Sequence, residues 1–113
     1  MKHTRLAILA LFLIHGLISN AQAPALIPYQ AVARDGAGQP LINSTLNARF
    51  TLRQGSALGA VLWQELQTVS TNSLGLFSSQ LGSAVSLATV TWANGAKFLQ
   101  VEIDLGSGYL EIG

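Results

Sequence analysis

The sequence of 113 residues has no cysteine, three prolines and little charge: 10% of its residues are charged and 50% are hydrophobic. Without cysteine, disulfide scaffolds, thiolate zinc sites and cysteine nucleophiles are excluded. The formal net charge is only +1, with Lys and Arg totalling 6, so we expect no nucleic-acid binding, which needs clustered cations. The high hydrophobic content also excludes a fully disordered chain.

The first 21 residues have the three parts of a secretory signal peptide. Lys2 and Arg5 are followed by an apolar stretch at 6–18 and then by small residues. This stretch is shorter than the roughly 20 residues of a membrane-spanning helix, so we expect no stable transmembrane anchor. Cleavage is expected after Ala21, with Ala23 as the alternative, and no cysteine follows that could carry a lipid. The sequence thus predicts export through the inner membrane to a secreted or cell-surface location.

Removal of residues 1–21 changes the chemistry that is available to the chain. His3 and His15 are the only two histidines, so residues 22–113 contain neither histidine nor cysteine. The formal charge becomes −1, because Lys2 and Arg5 are removed while all five acidic residues remain. Ser-His-Asp triads, Cys-His pairs and ordinary zinc or copper sites are therefore excluded. We expect no enzyme, no catalytic residue, no cofactor and no metal.

Residues 22–113 show short runs in which apolar and polar residues alternate, separated by Gly, Asn, Asp and Pro, and this pattern predicts an all-β domain. The two clearest strands are 45–53 and 97–105, each with one apolar and one polar face. The others are predicted at 27–34, 60–71, 76–81 and 88–92, with a last run at 109–112.

Three local features complete the predicted fold. The sequence DGAGQP at 35–40 predicts a hairpin turn, because Gly36 accepts positive φ. The alternation falters around Glu65 and Leu66, which predicts a β-bulge there. The run after Tyr109 stops early, so we expect a small antiparallel β-sandwich of about six or seven strands, apparently truncated at the C-terminus and lacking its last strand.

Four motifs together resemble a known type of module. They are YQAVARDGAGQPL at 29–41, ARF at 48–50, TNSLGLF at 71–77 and W-x-x-G-x-KFLQVEID at 92–104. The combination resembles an uncharacterised N-terminal β-sandwich module of secreted and surface proteins of Gram-negative bacteria. That resemblance implies a location outside the inner membrane and longer C-terminal regions, and it implies no particular activity.

Two of these patches are also similar to carboxypeptidase regulatory-like, transthyretin-type domains. The first patch is a D-x-x-G-x-P-L turn and the second a T-[DN]-x-x-G-x-F segment. This similarity implies a non-catalytic spacer or adhesion-type sandwich. The matching residues are Asp35, Gly38, Pro40 and Leu41, and Thr71, Asn72, Gly75 and Phe77.

Carboxylates are the first candidate site. Glu102 and Asp104 lie at i and i+2 on one strand face and could bind a hard cation such as calcium, with Glu65 as a third ligand. The same pair could be imagined as the acid and nucleophile of a glycosidase. We favour a solvated strand face with no metal, because no Asp-rich calcium loop is present. Gly-x-Gly spacings at 36–38 and 106–108 are read as turns rather than as phosphate loops.

Aromatic residues are the second candidate site. An exposed platform could stack on sugar rings, but in a small sandwich we expect core positions for these side chains. The four aromatics in question are Trp63, Trp92, Tyr29 and Tyr109. The cations left after cleavage, which we place on outward strand positions, are Arg34, Arg49, Arg53 and Lys97.

These observations favour a non-catalytic, exported structural or interaction module. Its expected partners are proteins or downstream domains of the same protein, bound in part through the open edge of an unfinished strand. The alternative is a carbohydrate-binding module that uses exposed aromatics.

Overall fold

A computed structural model describes residues 25–112, which form six β-strands and no helix. The predicted all-β class is confirmed. The predicted signal peptide and both cleavage positions lie outside the described residues. The strands are β1 (Ile27–Val32), β2 (Thr45–Gln54), β3 (Val61–Ser70), β4 (Leu76–Leu81), β5 (Lys97–Asp104) and β6 (Tyr109–Glu111).

The strands form two antiparallel sheets. One has four strands in the order β3-β2-β5-β6, and the other pairs β1 with β4. The sheets pack on each other through one apolar core, where the ring of Tyr29 on β1 lies edge-on to Phe50 on β2 with 5.7 Å between centroids. The buried apolar residues are Ala33, Ala48, Phe50, Leu52, Trp63, Val69, Phe77, Leu81, Leu87, Val90, Val101 and Ile103.

The alternation of β2 appears as predicted. Ala48, Phe50 and Leu52 are buried on the inner face, while Asn47 is exposed on the outer face. Thr51 is an exception, because it lies on the outer face and is also fully buried. Its hydroxyl accepts a hydrogen bond from the Gln64 amide at 3.0 Å.

The turn at 35–40 forms, but the predicted hairpin does not join two strands of one sheet. β1 ends at Val32 rather than at Arg34, and Arg34 makes only an isolated bridge to Pro40. β1 instead pairs with β4, which lies much later in the chain. The chain crosses to the other sheet after Pro40, with Asn43 in the left-handed region at a φ of 47°.

The predicted bulge at Glu65 and Leu66 is wrong. Alternation continues without a break through β3, with Trp63, Glu65 and Val69 buried and Leu66 exposed. The shift in register lies between Leu52 and Arg53, whose partners are Trp63 and Val61, so that Leu62 has no partner in β2. The bulge was predicted because Glu65 is charged, whereas in the structure this residue lies on the buried inner face of β3.

Residues 82–96 form an irregular segment between β4 and β5, and the strand predicted at 88–92 is absent from it. Its side chains nevertheless complete the core, because Leu87 and Val90 are buried and Trp92 is half-buried. The indole N–H of Trp92 donates to the carbonyl of Leu87 at 3.1 Å, which folds the segment onto itself. The apolar residues of this segment pack without a strand ladder.

The C-terminal strands follow the predicted pattern with one correction. Val101 and Ile103 of β5 are buried, but the strand ends at Asp104 and Leu105 is 37% exposed rather than inward. A turn containing Gly106 and Gly108 then leads into β6, which pairs with the end of β5.

Candidate interaction surface

The first motif of the sequence builds a turn that closes on itself. One carboxylate oxygen of Asp35 accepts the backbone N–H groups of Ala37 and Gln39, each at 2.9 Å. The guanidinium of Arg34 donates to the carbonyl of Gly38 at 3.0 Å across the same turn. The Asp and the Gly of the D-x-x-G motif are therefore accounted for by turn geometry.

The second motif builds a matching turn before β4. The side-chain oxygen of Asn72 accepts the N–H of Leu74 at 2.9 Å and of Leu76 at 3.0 Å. The hydroxyl of Thr71 donates to the carbonyl of Leu41 at 2.6 Å, which fastens the second turn to the first. A Cβ at Gly75, where φ is +82°, would lie 3.0 Å from the Cβ of Pro40. The two motifs thus interlock at one end of the sandwich.

The outer edge of β1 carries backbone groups that no described strand covers. The N–H of Ala33 donates to the carbonyl of Gly75, the residue that precedes β4, at 2.9 Å. Because successive residues of a strand point their N–H and C=O groups to opposite sides, those of Gln30 and Val32 point away from β4. Pro28 has the same outward orientation and lacks an N–H, which shortens the open edge.

The outer edge of β6 is open in the same way. Ile112 donates its N–H to the carbonyl of Val101 at 2.8 Å, so Ile112 and Leu110 direct their backbone groups to β5. The N–H and C=O groups of Tyr109 and Glu111 point outward, and within residues 25–112 no strand pairs with them. Among the strands that the structure describes, β6 is therefore the open end of the four-stranded sheet.

A groove of about 430 Å³ separates these two edges. The β1 side consists of Val32 and the turn that follows it, and the β6 side consists of the end of the last strand. Its apolar wall includes the half-buried side chains of Ile112 and Leu110. The lining residues are Val32, Arg34, Asp35, Gly36, Gly38, Leu110, Glu111 and Ile112.

The outer face of the four-stranded sheet beside this groove is polar. Arg49 forms a two-point ion pair with Glu102, with both nitrogen to oxygen distances at 2.9 Å. The hydrogen bond that Arg49 donates to the carboxylate of Glu102 raises the pKa of Arg49. The guanidinium carbon of Arg49 lies 4.0 Å from the centre of the Tyr109 ring, so the phenol is packed under a cation.

Glu65 is the charged side chain that sequence reasoning did not place in the core. It is 1% exposed, and one of its carboxylate oxygens accepts the N–H groups of Ala84 and Val85, each at 2.7 Å. The other oxygen accepts bonds from the N–H of Gly82 and the amide of Gln67. Burial alone would raise the pKa of Glu65, but these hydrogen bonds outweigh it and the pKa lies below its ordinary value.

The three candidate carboxylates are not brought together. Glu65 faces the core, whereas Glu102 lies on the outer face and is occupied by Arg49. Asp104 accepts the N–H of Gly106 at 2.8 Å and shapes the turn that follows β5. Among the described residues, no group of three acidic side chains is placed to hold a metal ion.

The candidate aromatics have three different environments. Trp63 is 5% exposed and donates its indole N–H to the carbonyl of Val85 at 2.9 Å. Tyr29 packs in the core, where burial raises its pKa, and Trp92 is half-buried. Tyr109 is 36% exposed, which is the largest exposed fraction in the set, and the guanidinium of Arg49 covers one face of its ring.

The remaining cations serve local structure. Lys97 donates to the carbonyls of Asn94 and Gly95, each at 2.9 Å. Arg53 donates to the side chain of Gln100 at 3.0 Å and to the carbonyl of Gly59 at 3.1 Å. These contacts hold the ends of β2 and β5 rather than forming a basic surface.

Sequence reasoning missed two residues of interest. The burial of Glu65 could have been found by continuing the strict alternation of β3 from Trp63, instead of introducing a bulge. An open edge at the last strand was expected from the sequence, but the side of β6 that stays open, and with it the outward backbone of Glu111, depends on which strand β6 pairs with.

A comparison with family models identifies the chain. Residues 28–112 match the model of a domain of unknown function, DUF8740. The chain belongs to the DUF8740 family. The DUF8740 match spans β2 to β6 completely and β1 from its second residue, so it includes both interlocked turns and both open edges. No curated protein and no solved structure matches the chain. In residues 25–112 the structure has no helix that is long and apolar enough to cross a membrane.

Proposed function

We propose that this DUF8740 chain is a non-catalytic structural and interaction module of an exported protein. It binds protein partners, or downstream domains of its own protein, outside the inner membrane. The observation that carries the proposal is the pair of open strand edges on β1 and β6 that border one groove. Open edges bind extended segments of other chains, because they offer unpaired backbone donors and acceptors.

Two features of the sequence support this function. Residues 22–113 contain no imidazole and no thiol, which removes the side chains that most hydrolases use as base or nucleophile. Two of the four motifs that resemble surface-protein modules, at 29–41 and 71–77, form the interlocked turns, so these two are explained by folding and not by a reaction.

The test compares partner binding by the purified parent chain, in which the outer edge of β1 is open, with binding by a variant in which that edge is blocked. Gln30 directs its N–H outward, so Gln30→Pro removes that donor without removing a backbone bond to β4. The side-chain amide of Gln30 also donates to the hydroxyl of Ser78 on β4 at 3.2 Å, and the matched control Gln30→Ala removes this bond as well. We expect cross-linking to an envelope or secreted protein to be lost in Gln30→Pro and kept in Gln30→Ala. A parent chain that stays monomeric and associates with no partner would overturn the proposal.

Carbohydrate binding is the second candidate function, and the position of Tyr109 favours it. The exposed phenol lies beside a small pocket that also involves Asn47, Leu66, Gln67 and Thr68. An aromatic ring next to amide and hydroxyl groups is a suitable surface for a sugar ring. Retention of the parent chain on polysaccharide columns tests this candidate.

A further inference from the structure

The outer face of the four-stranded sheet carries more negative than positive charge at the β6 end. One row of cross-strand neighbours runs through Leu66, Arg49, Glu102 and Glu111. The single cation of this row, Arg49, is taken by Glu102 in a two-point ion pair. Within the described part of the chain, Glu111 has no cationic partner and accepts only a long bond of 3.4 Å from the amide of Gln100.

The backbone of the same strand is available for pairing. The N–H and C=O groups of Tyr109 and Glu111 point away from β5, as the Ile112 to Val101 bond requires. A strand added here would put one of its side chains directly opposite Glu111 on the outer face. The most favourable residue at that position is a cation, because cross-strand pairs of opposite charge stabilise a sheet and pairs of like charge destabilise it.

The neighbours of that position would face the groove. Leu110 on β6 and Ile112, which directly follows β6, alternate with Glu111 and point to the inner side, where Val32 lies on the opposite wall. An added strand has the same alternation, so the two residues flanking its cation would cover these apolar side chains.

Resting on the interaction role proposed above, we propose that the β6 edge binds an extended peptide segment with an apolar-basic-apolar pattern. The segment forms a fifth strand of the sheet, places its Lys or Arg beside Glu111, and places its apolar side chains over Leu110 and Ile112. The partner is therefore a protein with an exposed or flexible basic strand.

Charge distinguishes this occupant from a second copy of the chain. Pairing of two β6 edges would supply no cation from β6 itself, and in the register that sets Glu111 opposite Glu111 it would bring two carboxylates together. Like charges that meet across a strand pair are destabilising. A basic peptide satisfies the backbone groups and the charge of Glu111 at once.

The experiment is a titration of the purified, isotopically labelled chain with a short capped peptide of alternating Val and Lys. We expect amide shifts at Tyr109 and Glu111, and binding about 2- to 5-fold weaker in Glu111→Gln, in line with one exposed ion pair. Gln80→Lys changes the net charge by the same amount on the exposed face of β4 and is expected to bind like the parent. Methylating alternate peptide nitrogens is expected to abolish binding, since strand addition needs those donors.

Three results would overturn the proposal. One is equal binding of a Val and Glu peptide, and another is an unchanged affinity in Glu111→Gln. The third is concentration-dependent dimerisation of the parent that protects the β6 amides, which would make a second copy the occupant. Loss of partner cross-linking in Gln30→Pro would still support the interaction role in each case, so failure at β6 is distinguishable from failure of the proposed function.

Discussion

Glu65 and Trp63 hold opposite sides of one residue, Val85. The Glu65 carboxylate accepts the N–H of Val85 at 2.7 Å, and the Trp63 indole donates to its carbonyl at 2.9 Å. These two side chains lie at i and i+2 on β3. They satisfy the backbone N–H and C=O groups of Val85 in the segment at 82–96, which in a sheet would be bonded by the backbone of a neighbouring strand. This arrangement explains how a segment with no strand of its own closes the core.

Replacing Glu65 with Ala is expected to lower the free energy of unfolding by about 3 kcal/mol, because several backbone N–H groups lose their acceptor in a buried site. Urea denaturation of the purified chain measures this change. Glu111→Ala removes an exposed carboxylate and is expected to stay within about 0.5 kcal/mol of the parent. Equal stability of the two variants would show that Glu65 does not hold the segment.

The same carboxylate predicts a dependence of stability on pH. The pKa of Glu65 is lowered from an ordinary value of 4.5, so the folded state binds this proton less readily than the unfolded state does. Its contribution is complete above about pH 4.5 and is lost as the pH falls through the folded pKa. Melting temperatures of the parent should therefore fall over this acidic range.

Glu65→Gln provides the control for that measurement. Gln does not titrate, so the variant should start less stable at neutral pH and lose less than the parent on acidification. If the melting temperatures of the two proteins fell in parallel with pH, the acid sensitivity would come from other carboxylates and not from Glu65.

The interlock of the two turns predicts that two similar substitutions differ in effect. Gly75 and Gly38 have φ near +82° and +83°, but only at Gly75 would a Cβ come within 4 Å of other residues. We expect Gly38→Ala to cost about 1 kcal/mol from backbone strain alone. Gly75→Ala should cost about 2 to 3 kcal/mol, because Pro40 must also move.

Thermal unfolding of both glycine variants in one buffer gives the comparison. Equal losses would mean that the packing between the two turns contributes nothing beyond the conformation of each turn.

Tyr109 decides the carbohydrate alternative. If the parent chain is retained on a polysaccharide, Tyr109→Ala should abolish retention without unfolding the chain, because the ring is exposed at a sheet edge. Trp63→Ala is unsuitable for this purpose, since loss of a core indole costs about 3 to 5 kcal/mol. A parent that no polysaccharide retains ends the alternative.

The bounds of a strand can be predicted from the sequence where the alternation of apolar and polar side chains is regular. β2 and β4 appear close to their predicted bounds because an inner face of Ala48, Phe50 and Leu52, or of Phe77 and Leu81, leaves one register that buries the apolar side. The turns at Asp35 and Asn72 were also predicted, although the positive φ expected at Gly36 lies at Gly38. Both turns are local, since their side chains bond to backbone only a few residues away.

The sequence could not predict what depends on distant pairing. The partner of β1 is selected by packing between sheets, and the backbone donors that satisfy the buried carboxylate of Glu65 lie some 20 residues away in the chain. An open edge was expected at the last strand, but the row of neighbours that places Glu111 beside Glu102 follows from the strand order.

The pairing of β1 with β4 also affects the order in which the molecule can form during synthesis. The first strand is complete at Val32, but its only hydrogen-bonded partner among the described strands begins at Leu76. A growing chain that has not reached β4 cannot assemble the small sheet, and a contact of this sequence separation forms slowly. Among the described strands, β1 is thus synthesised first but can join its sheet only after β4 has been made.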